Sequence, residues 1–264
     1  MYKMKKVYIG TNWKMTKTYQ EGAVYCNELL KISQRLSSDI QLFVIPSYTM
    51  LSSIKEILKE STIQLGAQNM HWEEKGAYTG EISPTMLSEI GIDLVELGHS
   101  ERRQYYNEND EDINKKVLAA LNYEMNPLIC IGENMNQKEN NISVETLAAQ
   151  LKVCLKNVSE EDLANIRIAY EPVWAIGENG IPASADYVNE IHNEIRSILT
   201  TLYGSKGKNI PLLYGGSVNL ENFLEYLQLD NVDGLFIGRS AWDMTSFKEI
   251  LSSIDNLLTE EVNS

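Results

Sequence analysis

The sequence predicts an α/β protein that folds as a closed (β/α)8 barrel, in a single domain spanning residues 1–264. Eight short apolar or β-branched runs recur along the chain, and segments with the period of a helix separate them. No linker, low-complexity tract or compositional break interrupts this alternation. Parallel strands joined by helices form one sheet, and eight such repeats close it into a barrel.

The predicted strands are apolar runs, most of which end at a turn-forming or charged residue, as buried parallel strands do. In chain order they are Val7–Ile9, Leu42–Ile45, Ile63–Leu65, Leu94–Leu97, Leu128–Ile131, Ile166–Tyr170, Leu212–Tyr214 and Leu235–Ile237. An open doubly wound sheet is the alternative. That fold normally has a Gly-x-Gly-x-x-Gly turn after its first strand, whereas residues 10–15 read Gly-Thr-Asn-Trp-Lys-Met, so the barrel is favoured.

Helix signals lie between these runs. Ser83 followed by Pro84 reads as an N-cap with proline at the first helical position. The segment Asp110–Tyr123 has an apolar stripe opposite its charges, formed by Ile113, Val117, Ala120 and Leu121. Ser184 is a candidate N-cap for a helix with a buried face formed by Val188, Ile191, Ile195 and Ile198.

Composition and charge narrow the class of protein. The hydrophobic fraction of 43% allows a sizeable core, and no run approaches about 18 consecutive apolar residues, so no transmembrane helix is expected. Residues 1–6 are basic but precede no apolar segment, so no signal peptide is expected. The cysteines Cys26, Cys130 and Cys154 are far apart, which predicts no disulfide framework and a cytoplasmic location. A net charge of −14 argues against nucleic acid and anionic membranes as partners.

Polar or glycine-rich segments follow the predicted strands where they end, and in a barrel these ends converge on one face. They include Asn12, Lys14, Gln68, Asn69, His99, Ser100, Glu101, Cys130, Glu133, Glu171, Gly215–Ser217, Gly238 and Arg239. A glutamate and a histidine can move protons, a lysine supplies positive charge, and glycine turns let backbone amides approach a phosphate. We therefore expect a site for a small anionic substrate at this face.

The segment of residues 168–180 carries the most informative local pattern. Its apolar run ends at Glu171, and a loop with Trp174 and two glycines follows at once. Pro172 stiffens the exit from the strand, and an apolar loop of this kind favours closure onto another surface. A plain strand-to-helix connection with Trp174 packed in the core is the alternative that this segment alone leaves open.

Several motifs, in one order along nearly the whole chain, resemble the triosephosphate isomerase family, which has the TIM-barrel fold. They are GTNWKM at 10–15, GAYTGEIS at 76–83, VELGHSERR at 95–103, CIGE at 130–133, AYEPVWAIG at 169–177 and YGGSV at 214–218. The resemblance implies an enzyme that isomerises a small sugar phosphate through an enediolate. No cluster has metal-ligand spacing, and no nicotinamide fingerprint or P-loop occurs, so we expect neither metal nor cofactor.

The resemblance also implies roles for the site residues. Glu171 would be the base that removes a proton from the carbon next to the carbonyl, and His99 would be a neutral imidazole that hydrogen-bonds the substrate oxygens. Lys14 would stabilise the enediolate charge, and Asn12 would be a second polar contact. Glu101 would order both Lys14 and His99.

Phosphate binding, a lid and a dimer follow from the same resemblance. Backbone amides of Gly177, Ser217 and Gly238 would hold the phosphate, and Pro172–Gly180 would form a lid that excludes water. Thr79 would enter the site of a second copy, which implies a homodimer.

Other polar residues of these motifs are interpreted as structural. Cys130 is expected to be a small packed side chain rather than a nucleophile. Glu133, Arg102 and Arg103 are expected to be members of ion pairs.

Two segments depart from the family pattern. Residues 177–184 read Gly-Glu-Asn-Gly-Ile-Pro-Ala-Ser instead of a Gly-Thr-Gly-Lys-like hinge, and Arg239 stands where a bare backbone amide normally helps to hold phosphate. The Arg239 guanidinium either contacts the phosphate or points to solvent. Together with residues 68–72, these segments are more similar to the branch of the family that interconverts L-erythrulose 1-phosphate and D-erythrulose 4-phosphate.

We favour this tetrulose pair over dihydroxyacetone phosphate and glyceraldehyde 3-phosphate, with tetritol catabolism or glycolysis as the respective pathway. The tetrulose phosphate is dihydroxyacetone phosphate with a hydroxymethyl group on the carbon that loses its proton, so one site chemistry serves both. An aldolase that uses Lys14 as a Schiff base is less favoured, because Glu101 would keep Lys14 charged. A non-catalytic binding protein is also less favoured, because every chemical group is present.

Overall fold

The computed structural model describes residues 6–177 and 180–263, with side chains described as far as residue 260. Parallel strands close into a barrel in chain order, and the last strand pairs with the first. They are β1 (Val7–Asn12), β2 (Ile40–Ile45), β3 (Gln64–Ala67), β4 (Leu94–Leu97), β5 (Asn126–Ile131), β6 (Arg167–Tyr170), β7 (Leu212–Tyr214) and β8 (Gly234–Phe236). The predicted (β/α)8 barrel is confirmed, and each predicted run overlaps one strand.

Helices lie between these strands and after the last one in the described part of the chain. They are α1 (Tyr19–Ser33), α2 (Leu51–Leu58), α3 (Pro84–Ile90), α4 (Ser100–Tyr106), α5 (Asp110–Asn122), α6 (Met135–Glu139), α7 (Ser143–Cys154), α8 (Ala185–Tyr203), α9 (Phe223–Leu227) and α10 (Met244–Asn263). The Ser83 and Ser184 side chains accept hydrogen bonds from backbone N–H groups of the first turns of α3 and α8, so both predicted N-caps are confirmed.

The apolar face of α5 differs in one respect from the predicted stripe. Ile113, Val117 and Ala120 are buried, whereas Leu121 is only partly buried. Lys116 joins the buried face instead, and its ammonium contacts Glu108 and donates to Asn69 Oδ1. A lysine is tolerated there because the carboxylate compensates its charge.

The apolar core has two layers. Inside the barrel lies a cluster formed by Phe43, Ile45, Leu94, Leu128, Cys130, Ala169, Leu213 and Phe236. A larger cluster fills the space between the outer faces of the strands and the helices, as alternation along each strand requires. The cluster inside the barrel packs beneath the face where the strands end.

No helix in the described residues is both long and apolar enough to cross a bilayer.

Candidate active site

A cavity of about 590 Å³ opens at the carboxyl ends of the strands, which is the volume of a typical small-molecule site. Predicted site residues at the ends of separate strands, and in the segments that follow them, line it: Asn12, Lys14, His99, Glu101, Glu171, Gly177, Ser217, Gly238 and Arg239. The barrel thus brings together side chains that are distant in sequence, because the strand ends meet on one face.

The first of these loops holds Lys14 in a strained conformation. Its φ of 50° lies in the left-handed region, which costs about 1–3 kcal/mol for a residue with a side chain. Asn12 Oδ1 accepts the Lys14 N–H at 2.6 Å, and the Lys14 carbonyl accepts from Gln68 Nε2 at 2.7 Å and from Ser47 Oγ at 3.1 Å. Because both backbone polar groups of Lys14 are hydrogen-bonded, the direction of its side chain is fixed.

The ammonium of Lys14 lies against the Glu101 carboxylate, with 2.7 Å between Nζ and Oε1. The stem of Lys14 is largely covered, whereas Glu101 is more exposed. The contact places one positive charge at the inner wall of the cavity.

His99 caps the N-terminus of α4. Its Nδ1 accepts the backbone N–H of Glu101 at 3.1 Å, so Nδ1 carries no proton and a neutral ring carries its proton on Nε2. Nε2 lies 3.9 Å from Glu171 Oε2. The imidazole therefore presents an N–H donor to the cavity.

Glu171 directly follows β6 and is 5% exposed. Its Oε2 has no hydrogen-bond partner among the residues that the structure describes. Gly215 makes room for the side chain, because a Cβ at that position would stand 2.8 Å from Glu171 Cγ. A buried carboxylate oxygen without a partner, facing an N–H donor, is suited to accept a proton from a bound molecule.

Glycine-rich turns form another part of the cavity wall. Gly177 has φ of 88°, a conformation that favours glycine. Gly177 lies opposite Arg239, whose Nη2 donates to the Gly177 carbonyl at 2.8 Å. Arg239 therefore links the loop after β8 to the loop after β6, with Ser217 and Gly238 beside it in the cavity wall.

The predicted lid is described except for residues 178 and 179, which lie outside the described residues. The indole of Trp174 donates to Glu133 Oε1 at 2.8 Å, and Gly180 N–H donates to the Gly177 carbonyl at 3.3 Å. Pro172 is buried. Trp174 is thus anchored beside the site through a hydrogen bond rather than through the core alone.

Glu133 forms no ion pair with the residues that the structure describes, so the interpretation of it as an ion-pair member is wrong for this part of the chain. It is fully buried and accepts hydrogen bonds from the hydroxyls of Tyr170 and Tyr187, in addition to the Trp174 indole. These neutral donors satisfy a buried carboxylate without an arginine.

The prediction that Arg102 and Arg103 are members of ion pairs is confirmed, since Arg102 pairs with Glu108 and Arg103 pairs with Asp110.

Cys130 is buried. Burial is the largest cause that raises the pKa of its thiol well above the ordinary value, and the nearby charges of Glu171 and Glu96 add to it. It is therefore a thiol, in agreement with the packed role predicted for it.

Glu96 is the site residue that the sequence interpretation missed. It is fully buried in β4, and its Oε2 accepts a hydrogen bond from Asn12 Nδ2 at 2.6 Å. One side-chain donor atom from each of Glu96, His99 and Glu171 lies within 4.8 Å of the others. The available signal was positional, because Glu96 is two residues after Leu94 and therefore shares its inward face. The expectation of no metal at the site stays a prediction.

The fold and the site define a (β/α)8 enzyme that transfers protons on a small molecule held at the strand ends. The family model for triosephosphate isomerase matches residues 7–254, and the chain belongs to this family of sugar-phosphate isomerases.

Similar proteins with assigned names indicate one branch of this family. The chain is 46% identical to the L-erythrulose-1-phosphate isomerase of Brucella abortus biovar 1 (strain 9-941), over 94% of this chain and 96% of that protein. It is 45% identical to the protein of the same name from Rhizobium etli, over 94% of this chain and 92% of the relative. It is 46% identical to that from Mesorhizobium japonicum, over 94% and 97% of the two chains. The similarity to the tetrulose branch is therefore confirmed, and the triose alternative is not favoured.

Proposed function

We propose that the protein interconverts L-erythrulose 1-phosphate and D-erythrulose 4-phosphate by proton transfer between neighbouring carbons. One observation carries the proposal: Glu171 Oε2, which has no hydrogen-bond partner in the described part of the chain, lies 3.9 Å from His99 Nε2 in a cavity whose wall also holds the Lys14 ammonium. The similarity to relatives named for this tetrulose phosphate supports the choice of substrate.

Glu171 acts as the base. Its carboxylate removes the proton from the hydroxyl-bearing carbon next to the carbonyl, and the released electron pair forms the double bond of an enediolate. The negative charge develops on the former carbonyl oxygen. The proton of the neighbouring hydroxyl then passes to the former carbonyl oxygen, relayed by His99 Nε2, while Glu171 returns its proton to the former carbonyl carbon. The carbonyl thereby moves by one position, and no atom is gained or lost.

His99 and Lys14 stabilise the enediolate. The Nε2–H of His99 donates a hydrogen bond to the substrate oxygens, and the Lys14 ammonium supplies positive charge where negative charge develops. Both groups are already fixed by bonds to Glu101, at 3.1 Å through its backbone and 2.7 Å through its carboxylate. Little reorganisation is then needed in the transition state.

The phosphate binds between the glycine turns. Backbone amides of Gly177, Ser217 and Gly238 face it, and the Arg239 guanidinium adds a direct contact. One N–H of Arg239 is engaged with the Gly177 carbonyl at 2.8 Å. A guanidinium has five N–H donors, so others remain for the phosphate.

A lid formed by residues 172–180 excludes water from the enediolate, which otherwise eliminates its phosphate. The hydrogen bond of 2.8 Å between Trp174 and Glu133 fixes the end of this loop nearest to Glu171. A Schiff-base aldolase is not favoured, because the Lys14 ammonium already donates to Glu101 at 2.7 Å.

A substrate panel tests the tetrulose assignment. We expect kcat/KM for L-erythrulose 1-phosphate to exceed that for dihydroxyacetone phosphate, by about 10–200-fold if one hydroxymethyl group is worth about 1–3 kcal/mol in the pocket. The assay follows each ketose phosphate in parallel with purified protein. Glu171→Gln protein purified in the same way controls for contaminating host isomerase. A preference for dihydroxyacetone phosphate contradicts the assignment and places the enzyme in glycolysis rather than tetritol catabolism.

The protein forms a homodimer through the loop that carries Thr79. Thr79 is exposed in the single chain, as are the neighbouring Tyr78 and the apolar Met15, which is 95% exposed beside Lys14. Exposed apolar side chains next to a site favour coverage by a second copy. We expect a dimer by sedimentation velocity, and Thr79→Arg should yield a monomer with reduced activity. Thr201→Arg, at an exposed position of α8, is the matched control, and a monomeric parent protein contradicts the proposal.

The cytoplasm is the compartment that fits the cysteines. All three are free and buried, and burial raises the pKa of both Cys26 and Cys154 to about 12. They therefore remain thiols, which a reducing compartment preserves. The acidic net charge of −14 supports a small-molecule partner rather than nucleic acid or an anionic membrane.

A further inference from the structure

The buried carboxyl of Glu96 has no part in the proton transfer described above. We propose that Glu96 is a positioning residue that stays a neutral carboxylic acid at working pH, orients the Asn12 amide and leaves Glu171 as the ionised group of the pair. The inference rests on the proposed function, because it assumes that Glu171 is the base.

The position of Glu96 follows from the period of a strand. Leu94 belongs to the apolar cluster inside the barrel, and Glu96 is two residues further along β4, so it also points inward. It is fully buried, whereas Asn12 lines the cavity. Glu96 therefore lies behind the cavity wall, where it can act on Asn12 but cannot reach the substrate.

Hydrogen bonds to Glu96, Lys14 and Gln68 fix the orientation of the Asn12 amide. Asn12 Nδ2 donates to Glu96 Oε2 at 2.6 Å, and Asn12 Oδ1 accepts from the Lys14 N–H at 2.6 Å and from Gln68 Nε2 at 3.1 Å. The amide has a second N–H on Nδ2, which is left for a substrate oxygen. Through Asn12, Glu96 also supports the strained backbone of Lys14.

The charges around Glu96 favour its neutral form. The Lys14 ammonium is in contact with the Glu101 carboxylate, so its charge is already largely compensated. An oxygen of Glu96 lies within 4.8 Å of one of Glu171 and of a nitrogen of His99. Two buried carboxylates this close cannot both be ionised cheaply, so one of them retains a proton.

Glu96 is the better holder of that proton. It is fully buried, whereas Glu171 reaches the cavity. Burial, and next the charge of Glu171, raises the pKa of Glu96 well above its ordinary value, against smaller opposing effects of Asn12 and Lys14. Its other near neighbour is the Cys130 thiol, with 3.8 Å between Sγ and Oε1.

The consequence is an alkaline limit on the rate. As pH rises through the raised pKa, Glu96 loses its proton and adds a second negative charge beside the place where the enediolate charge develops. Turnover then falls. Glu96→Gln has a similar shape, still offers an oxygen to Asn12 and cannot ionise.

The experiment compares pH profiles of kcat/KM for the parent protein, Glu96→Gln and Glu96→Leu. We expect Glu96→Gln to match the parent near neutral pH and to move the alkaline limb upwards by about one pH unit or more. Glu96→Leu removes the acceptor of the Asn12 amide and should lower kcat by about 10²-fold, the typical effect of misplacing a contact group. Cys130→Ala serves as the titration control, because the alkaline limb should stay where it is in that variant.

Infrared spectroscopy gives a readout that needs no turnover. The parent protein at neutral pH should show the C=O stretch of a buried protonated carboxyl, which disappears at high pH and is missing in Glu96→Gln. A band that persists in Glu96→Gln, or an alkaline limb that this variant does not move, overturns the proposal. A wrong substrate or base would instead appear as an inactive parent on the tetrulose phosphate, or as unchanged turnover in Glu171→Gln, with the infrared result unaffected.

Discussion

Replacing Glu171 with glutamine is expected to lower kcat by about 10²–10⁴-fold, the usual contribution of a positioned general base. Glutamine fills nearly the same volume as glutamate in the space left by Gly215. The surroundings of this position, where Glu171 is 5% exposed, should therefore keep their shape. Only the ability to accept a proton is lost. Because the substituted group acts on the reacting carbon, the loss should fall on kcat far more than on KM.

The measurement combines steady-state rates with exchange of substrate hydrogen into deuterated water, followed by NMR. Exchange isolates proton removal from later steps, and it should fall together with kcat. Glu171→Asp is the matched variant, because it keeps the carboxylate and only shortens its reach. Its activity should lie between that of the parent protein and that of Glu171→Gln. Parent-like exchange in a folded Glu171→Gln protein would show that another group is the base.

The strands could be predicted because a parallel strand covered on both faces is an apolar run. The first strand shows the limit of that rule. The predicted run ends at Ile9, whereas β1 continues to Asn12, which pairs with Ile45 of β2. Pairing with neighbours, rather than local apolarity, extends the strand through Gly10 and Thr11. This extension matters for the site, because it places Asn12 at the rim of the barrel.

The site was predictable where it depends on strand ends and family motifs. Glu171, His99 and Lys14 all follow strands, and closure of the barrel brings them to one cavity. The partners of Glu133 and Glu96 could not be predicted, because the partner of a buried carboxyl depends on which side chains pack against it in the folded chain. A sequence shows an acid near a motif, but it does not show whether an arginine, three neutral donors or an amide will satisfy it.

Lys14→Met is expected to lower kcat/KM by about 10²–10³-fold, the usual cost of removing one group that stabilises an oxyanion. Methionine keeps the length and apolar stem of lysine but loses the ammonium that lies 2.7 Å from Glu101. The variant therefore removes a positive charge and also leaves the Glu101 carboxylate uncompensated at the cavity wall. Both changes oppose the negative charge of the enediolate.

The double variant Lys14→Met/Glu101→Gln separates these two effects. If the uncompensated carboxylate is responsible for part of the loss, the double variant should recover activity relative to Lys14→Met, and the recovery measures the coupling of the pair. Lys14→Arg keeps the charge with a different shape and should lose less than Lys14→Met. A Lys14→Met protein with parent-like kcat/KM would remove the lysine from the mechanism.

The division of the Lys14→Met effect between kcat and KM shows what the ammonium stabilises. A contact made equally to bound substrate and to the transition state raises KM and leaves kcat unchanged when it is removed. A contact that strengthens as the enediolate forms lowers kcat instead. Lys14 is held on the Glu101 side of the cavity, whereas Arg239 bridges the glycine turns through Gly177 at 2.8 Å. We therefore expect Lys14→Met to act mainly on kcat and Arg239→Met mainly on KM, because the proposed partner of Lys14 is the enediolate and that of Arg239 is the phosphate.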